Sequence, residues 1–197
     1  MTDPPYAIRD RAAVCVTFLG LLWGIELVNL LNDHSFHLWG ILPRTREGLR
    51  GVLFAPYIHV DARHLALNSV PLLVLSWLVL THGPWTFLRV TLTIQWIGGT
   101  LVWAFARPSF HLGASVLVLG YFGYLVAYGF LSRSWTSFFV AALTVLLYGG
   151  VIVGVLPGQG GVSWEMHLAG LIGGVAAAWA GIGLHSRPGP FGKDVGE

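Results

Sequence analysis

Six long apolar segments constrain the fold of this chain more than any other feature. The first, Ala12–Leu31, has about 20 residues, enough for a helix to cross the roughly 30 Å hydrocarbon core of a bilayer. In lipid each segment must satisfy its own backbone hydrogen bonds, so all six are predicted to be helices. The other five are His64–Leu80, Trp85–Ala106, Gly113–Leu131, Thr136–Leu156 and Met166–Leu184.

The composition points to the same class of protein. Hydrophobic residues make up 55% of the chain and charged residues only 10%, whereas a soluble domain carries about 25% charged residues. The net charge of +2 is too small, and the Lys/Arg residues too scattered, to favour nucleic acid as a partner. The single cysteine, Cys15, excludes an internal disulfide framework and a Cys-based zinc site. We therefore expect an all-α membrane protein built as a six-helix bundle.

The long polar interval Asn32–Arg63 separates the first apolar segment from the second and is expected to form a partly structured first loop. Residues 1–11 are interpreted as a short cytoplasmic segment, 12–184 as the membrane domain and 185–197 as a polar tail. The first apolar run is too long for the core of a signal peptide and lacks a following small-residue cleavage site, so we expect it to be retained as a helix.

The distribution of cationic residues weakly favours cytoplasmic termini in the cell membrane, because an even number of spans places both termini on one side. That side would hold Arg9, Arg11, Arg89, Arg133, Arg187 and Lys193. The opposite side would hold Arg107 together with four arginines of the first loop, namely Arg44, Arg46, Arg50 and Arg63. The excess of cationic residues on the cytoplasmic side becomes large only if the first loop is partly folded and its four arginines are left out of the count.

A few strongly polar groups lie within the apolar segments, where they are costly and usually face the bundle interior or a hydrated cavity. Two of them, Glu26 and Gln95, have no patterned companions and are predicted to form interhelical hydrogen bonds. His64 and Asn68 differ, because the i, i+4 spacing puts them on one helix face. His59 precedes them by five residues, which is not the helical zinc spacing, so we expect it to order the loop and expect no metal.

Ser115 and His167 stand near the starts of the fourth and sixth segments, at the same end of the bundle as His64 and Asn68. A serine hydroxyl becomes a good nucleophile when a base within hydrogen-bond reach takes its proton, and histidine is the usual base. His64, Asn68 and the Ser115 backbone N–H could donate to an oxyanion. Glu165 is expected to face away from His167, so the pattern indicates a dyad.

Small residues recur at four-residue spacing in three pairs, for which close bundle packing is the simplest interpretation. The pairs are Gly20/Gly24, Gly150/Gly154 and Gly170/Gly174. The last pair lies in the run GLIGG after His167, where it would let the fourth and sixth helices approach closely and position the dyad.

These pieces together resemble the rhomboid family of intramembrane serine proteases. The resemblance rests on HVDARHLALN, GAS, HLAGLIGG and six helices with a long first loop, and covers about residues 12–184. It implies a rhomboid-type bundle, substrates that are single-span membrane proteins cut at or near their transmembrane segment, and no cofactor. Carried over by position, it makes Ser115 the nucleophile, His167 the base, His64 and Asn68 oxyanion donors and His59 structural, with Gly113, Gly170 and Gly174 as motif glycines.

The chain departs from the family pattern directly after the serine, where Val116 replaces the usual glycine, and one turn further on, where Leu119 replaces a frequent aromatic residue. Two alternatives therefore stay open. One is a rhomboid-like pseudoprotease that binds transmembrane helices without cutting them, a reading that Val116 supports. The other is a small channel or transporter. The polar groups argue against it, because they lie at one depth instead of being spread across the membrane.

Overall fold

The computed structural model describes residues 8–157 and 163–183, and every regular element in these ranges is helical. The expected all-α fold is confirmed. The described ranges contain six long helices and a single helical turn, α2, in the first loop. Their bounds are α1 Ile8–Leu31, α2 Gly51–Phe54, α3 Ala62–Leu80, α4 Pro84–Phe105, α5 Ser115–Leu131, α6 Trp135–Tyr148 and α7 Trp164–Trp179.

The protein is membrane-embedded, and its helices show it by length and by surface. Three stretches are long and apolar enough to cross a bilayer: Ile8–Leu31, Ala62–Leu80 and Trp135–Val155. The apolar helix α5 is shorter, with 17 residues. Large apolar side chains such as Leu146, which is 80% exposed, point outward from the bundle, as expected for a surface in contact with lipid. That all six long helices cross the membrane stays a prediction.

Helix boundaries differ from the apolar segments where polar residues or glycine intervene. Helix α1 begins at Ile8 instead of Ala12, because a helix can continue past the apolar stretch, and Asp10 in its first turn suits the positive end of the helix dipole. Helix α5 begins two residues later than predicted, since Gly113 has a φ of +123° and cannot be helical.

The last two helices also differ from their predicted spans. Helix α6 ends at Tyr148 and continues as a 3₁₀ segment, Gly149–Val155. Helix α7 begins at Trp164 and ends at Trp179, short of the predicted end at Leu184, which lies outside the described residues. Residues 1–7 and the predicted tail, 185–197, lie outside them as well.

The first loop is partly structured, as predicted. It contains α2 and three 3₁₀ turns, Ser35–Trp39, Glu47–Arg50 and Ala55–Tyr57. The Arg44 N–H donates to the carbonyl of Trp103 over 2.9 Å, and the Trp103 indole N–H donates to the carbonyl of Thr45 over 2.8 Å. An antiparallel bridge joins Ile41 to His111. The loop is thereby fixed to the end of α4 and to the connection that precedes α5.

Helices α5 and α7 pack with their backbones in direct contact. A β-carbon at Gly174 would overlap the carbonyl oxygen of Gly120, and one at Gly170 would overlap the carbonyl oxygen of Val116. The contact positions rise together along both helices, so α5 and α7 run parallel. The close approach expected from GLIGG is present.

The other small-residue pairs behave differently. A β-carbon at Gly20 or Gly24 would meet no atom within 4 Å, so the prediction of close packing was wrong for this pair. Both glycines lie on α1, where the described part of the chain leaves open space beside them. Gly150 also faces open space, whereas Gly154 contacts the imidazole of His167.

The two isolated polar residues have different partners. The Gln95 amide donates to the carbonyl of Leu53 over 3.0 Å and accepts from the Tyr57 hydroxyl over 2.8 Å, so it joins α4 to the first loop. Glu26 instead accepts from Asn29 of its own helix, over 3.5 Å. An interhelical bond was therefore the wrong expectation for Glu26, because a neighbour one turn away satisfies one of its oxygens.

Candidate active site

Ser115 is the first residue of α5 and is 6% exposed. Its backbone N–H has no acceptor within the helix, because the first N–H groups of a helix point away from it. Among the described residues, the Ser115 hydroxyl has no hydrogen-bond partner, and Ala114 supplies no side-chain cap to the helix. The hydroxyl and the N–H are thus both available to a bound molecule.

Gly113 lets the chain turn immediately before this serine. Its φ of +123° is in the region that favours glycine, and a β-carbon there would lie 2.9 Å from Cε1 of His64. Both constraints explain the glycine of the Gly-x-Ser motif. The same contact places the His64 ring against the backbone two residues before Ser115.

Two hydrogen bonds from the first loop hold this turn. The Ala114 N–H donates to Nε2 of His59 over 3.0 Å, and the Gly113 N–H donates to the carbonyl of Ala55 over 2.9 Å. His59 is fully buried. The geometry therefore gives His59 a structural contact: it fixes the backbone next to Ser115.

His59 can accept this bond only as a neutral ring. Burial, reinforced by the neighbouring His64, lowers the pKa of His59 to about 3 from the ordinary value of 6.5, against the opposing effect of Asp61. In the unfolded chain the ring would bind a proton near pH 6.5, so the folded state binds fewer protons between these two values. Stability contributed by this site is therefore present above pH 6.5 and is lost as the pH falls toward 3.

We predict that His59→Gln makes the unfolding temperature less sensitive to acid. Glutamine carries an acceptor near the position of Nε2 and does not titrate, so it can keep the bond to Ala114 without the proton linkage. The measurement is the unfolding temperature in detergent between pH 4 and 7. Some acid sensitivity will remain, since burial also lowers the pKa of His82, to about 4, and the pKa of His111. An unchanged slope in the variant would contradict the assignment.

His64 and Asn68 lie on one face of α3, one turn apart, as the spacing predicted. Asp61 caps this helix by accepting from the His64 N–H over 2.6 Å. The buried Asn68 amide donates one N–H to the His64 carbonyl over 3.2 Å. The rings of His64 and His59 meet edge to face, with centroids 5.4 Å apart. His64 thus lies beside the turn that carries Ser115, and Asn68 lies one turn further along α3.

The imidazole of His167 is oriented by a backbone carbonyl. Its Nδ1 lies 3.0 Å from the carbonyl oxygen of Gly154. Since a carbonyl only accepts, Nδ1 carries the proton, and in the neutral ring Nε2 keeps a free lone pair. This is the form that a general base requires.

The packing of α5 on α7 brings Ser115 and His167 to the same end of the bundle. Ser115 precedes Val116, and His167 lies one turn before Gly170, the residue that packs on the Val116 carbonyl. No hydrogen bond joins the two side chains in the described part of the chain. Catalytic hydrogen bonds are often long before substrate binds, and the dyad stays a prediction.

Glu165 pairs with Arg107, and no hydrogen bond joins its carboxylate to His167 in the described part of the chain. Its carboxylate lies 3.5 Å from Nε of Arg107, and the acid is 11% exposed against 50% for the arginine. The carboxylate therefore faces the connection between α4 and α5.

Comparison with known proteins identifies the family. The family model of the rhomboid domain matches residues 46–183, well over half of the chain. The chain belongs to the rhomboid family. This family includes both proteases and members without protease activity.

Similar proteins occur in mycobacteria and in a parasite. An uncharacterized protein of Mycobacterium tuberculosis is 36% identical over 173 residues, covering 83% of this rhomboid chain and 72% of the relative. One from Mycobacterium leprae is 37% identical over 174 residues, covering 83% and 68%. A protein named rhomboid-like protease 5, from Toxoplasma gondii, is 32% identical over 141 residues, covering 66% of this chain and 16% of its own length.

The structure of this rhomboid also shows contacts that sequence reasoning missed. His111 Nε2 lies 3.0 Å from the Arg107 carbonyl, so it donates there, and Nδ1 accepts from the Ser163 hydroxyl over 2.6 Å. Ser163 in turn caps α7 by accepting from the Met166 N–H. A serine one residue before a helix is a recognisable cap signal, but its bond to a histidine 52 residues away has no local signature.

Val116, the residue directly after the serine, packs against α4. Its side chain is buried and points at α4, where a β-carbon on Gly98 would lie 3.0 Å from Cγ2 of Val116. The glycine in α4 provides the room that the branched side chain needs. The replacement after the serine is therefore accommodated by packing between helices.

Proposed function

We propose that this rhomboid is an intramembrane serine endopeptidase that cleaves transmembrane-anchored proteins. The observation that carries the proposal is the contact of Gly170 on the Val116 carbonyl, which sets Ser115 and His167 at one end of two parallel helices. A buried, unpartnered serine hydroxyl and a histidine with a free Nε2 are the two groups that a dyad needs. The binding of helices without cleavage is the alternative outcome, and it would leave both groups idle.

The reaction proceeds in two steps. In the first, Ser115 Oγ attacks the scissile carbonyl carbon while His167 Nε2 takes the hydroxyl proton, and that proton then goes to the leaving amine. In the second, His167 removes a proton from the water that attacks the acyl ester, and it returns this proton to Ser115 Oγ as the ester bond breaks and the new carboxyl terminus leaves. The oxyanion of each tetrahedral intermediate is stabilised by the Ser115 N–H with His64 and Asn68. Neither step uses a metal or cofactor.

The position of the site indicates where a substrate is cut. Ser115, His167 and the His64–Asn68 face all lie near helix starts at one end of the bundle, so cleavage occurs near one membrane surface. In keeping with the weak arginine bias of the sequence, the proposal has the termini in the cytoplasm and the site on the opposite side of the cell membrane. Single-span proteins and membrane lipid are the partners.

A fluorophosphonate probe tests the function directly, because it reacts with activated serines. We predict that purified wild-type protein is labelled and that Ser115→Ala and His167→Ala are not. The loss in His167→Ala is the informative part, since it shows that the serine needs its base. Equal absence of labelling in all three proteins, each with an unchanged unfolding temperature, would overturn the proposal in favour of binding without cleavage.

A further inference from the structure

We propose that Gly154 is the positioning residue of the base histidine, its backbone carbonyl taking the place that a carboxylate occupies in a catalytic triad. The inference rests on the proposed function for its catalytic consequence. Its structural basis is the 3.0 Å contact between the Gly154 carbonyl oxygen and Nδ1 of His167. The orienting group of a histidine base selects the ring tautomer and fixes the ring plane.

No carboxylate competes for this role in the described part of the chain. Glu165, the acid nearest in sequence, pairs with Arg107. Gly154 belongs to the 3₁₀ segment Gly149–Val155 that follows α6, so its carbonyl does not accept an α-helical backbone hydrogen bond. The end of this segment thus supplies the acceptor that the imidazole needs.

Glycine is required at this position for a steric reason. A β-carbon on residue 154 would lie 2.5 Å from Nδ1 and 2.9 Å from Cε1 of His167. These distances are too short for any side chain, so the ring would have to shift. Because residue 154 has no side chain, its backbone can come close enough to the imidazole for Nδ1 of His167 to donate to the Gly154 carbonyl.

The same segment offers a matched control. Gly150 lies four residues earlier, and a β-carbon there would meet nothing within 4 Å. Gly154→Ala and Gly150→Ala make the same chemical change in the same 3₁₀ segment. Only the first disturbs His167, so any general effect of alanine on the segment cancels in the comparison.

The experiment measures kinetics and the ring tautomer together. We expect Gly154→Ala to lower kcat about 10²-fold with KM little changed, the cost of a base displaced by about 1 Å, and Gly150→Ala to match wild type. The tautomer is read from the ring ¹⁵N chemical shifts of protein labelled with ¹⁵N-histidine in nanodiscs. The signals of His167 are those that disappear in His167→Ala. They should show Nδ1–H in wild type and in Gly150→Ala. Gly154→Ala should lose that preference.

The tautomer separates this inference from the proposed function. An Nε2–H ring in the wild-type protein would overturn the inference even if the enzyme is active, and this measurement uses no variant other than His167→Ala, which serves only for the assignment. Equal kcat and equal spectra for Gly154→Ala and wild type would overturn it as well. A protein that is unreactive toward the fluorophosphonate yet shows Nδ1–H would support the positioning contact while removing the proposed protease activity.

Discussion

Replacing Ser115 with alanine is expected to lower the rate at which a reconstituted transmembrane substrate is cleaved on the order of 10⁶-fold, the loss that follows removal of a serine protease nucleophile. His167→Ala should cost nearly as much, because the hydroxyl without its base is a weak nucleophile. The double variant should lose little more than either single one. Nucleophile and base act as one unit, and removing the second member of a broken pair has no further effect.

The control for this series is Ser69→Ala on α3. The Ser69 hydroxyl donates to the Leu65 carbonyl over 2.8 Å and accepts from the Trp23 indole over 3.2 Å, away from α5. Its removal should leave the cleavage rate unchanged. If the losses in the two single variants instead multiply in the double variant, Ser115 and His167 contribute independently and the dyad is wrong.

The second large effect is expected from Gly174→Ala, which should lower the free energy of unfolding by about 3 kcal/mol, the upper part of the range for overpacking. The added methyl would overlap the carbonyl oxygen of Gly120, a backbone atom of α5 that no rotamer change can move aside. The helices must therefore separate. Unfolding titrations in mixed detergent micelles measure the change, and labelling by the fluorophosphonate should fall with it, because Ser115 and His167 belong to the same two helices.

Gly24→Ala provides the matched comparison, since a β-carbon there would meet nothing within 4 Å. Alanine has the higher helix propensity by about 1 kcal/mol, so this variant should be at least as stable as wild type. A Gly174→Ala protein of wild-type stability would show that α5 and α7 can separate without cost, and the packing argument would then be wrong.

The sequence was sufficient to predict much of the site because its groups carry recognisable side chains at fixed spacings. The i, i+4 pair His64 and Asn68, the Gly-x-Ser turn at Gly113, and the GLIGG run after His167 each have a local physical reason that can be read without coordinates. The prediction that these groups lie at one end of the bundle followed from helix direction alone.

The remaining contacts could not be predicted, because they depend on backbone atoms and on distant partners. The carbonyl of Gly154 has no side-chain signature, and Gly150 and Gly154 form the same pattern in sequence although only one contacts a histidine. Equally, the Gly20/Gly24 pair suggested close packing, yet a β-carbon at either position would meet no described atom within 4 Å. The spacing of residues along the sequence shows which of them share a helix face, but not which neighbouring residues pack against that face.

The two hydrogen bonds that hold the turn before Ser115 also set an order of assembly. They join Ala55 and His59 to Gly113 and Ala114, the His59 bond spanning 55 positions of the chain. Closing so long a loop costs entropy before the contact repays it, and such distant pairings form late in folding. Helix α5 can enter the membrane early, but its serine reaches its final backbone geometry only when the first loop has docked. The backbone geometry at Ser115 therefore depends on contact between the two halves of the chain.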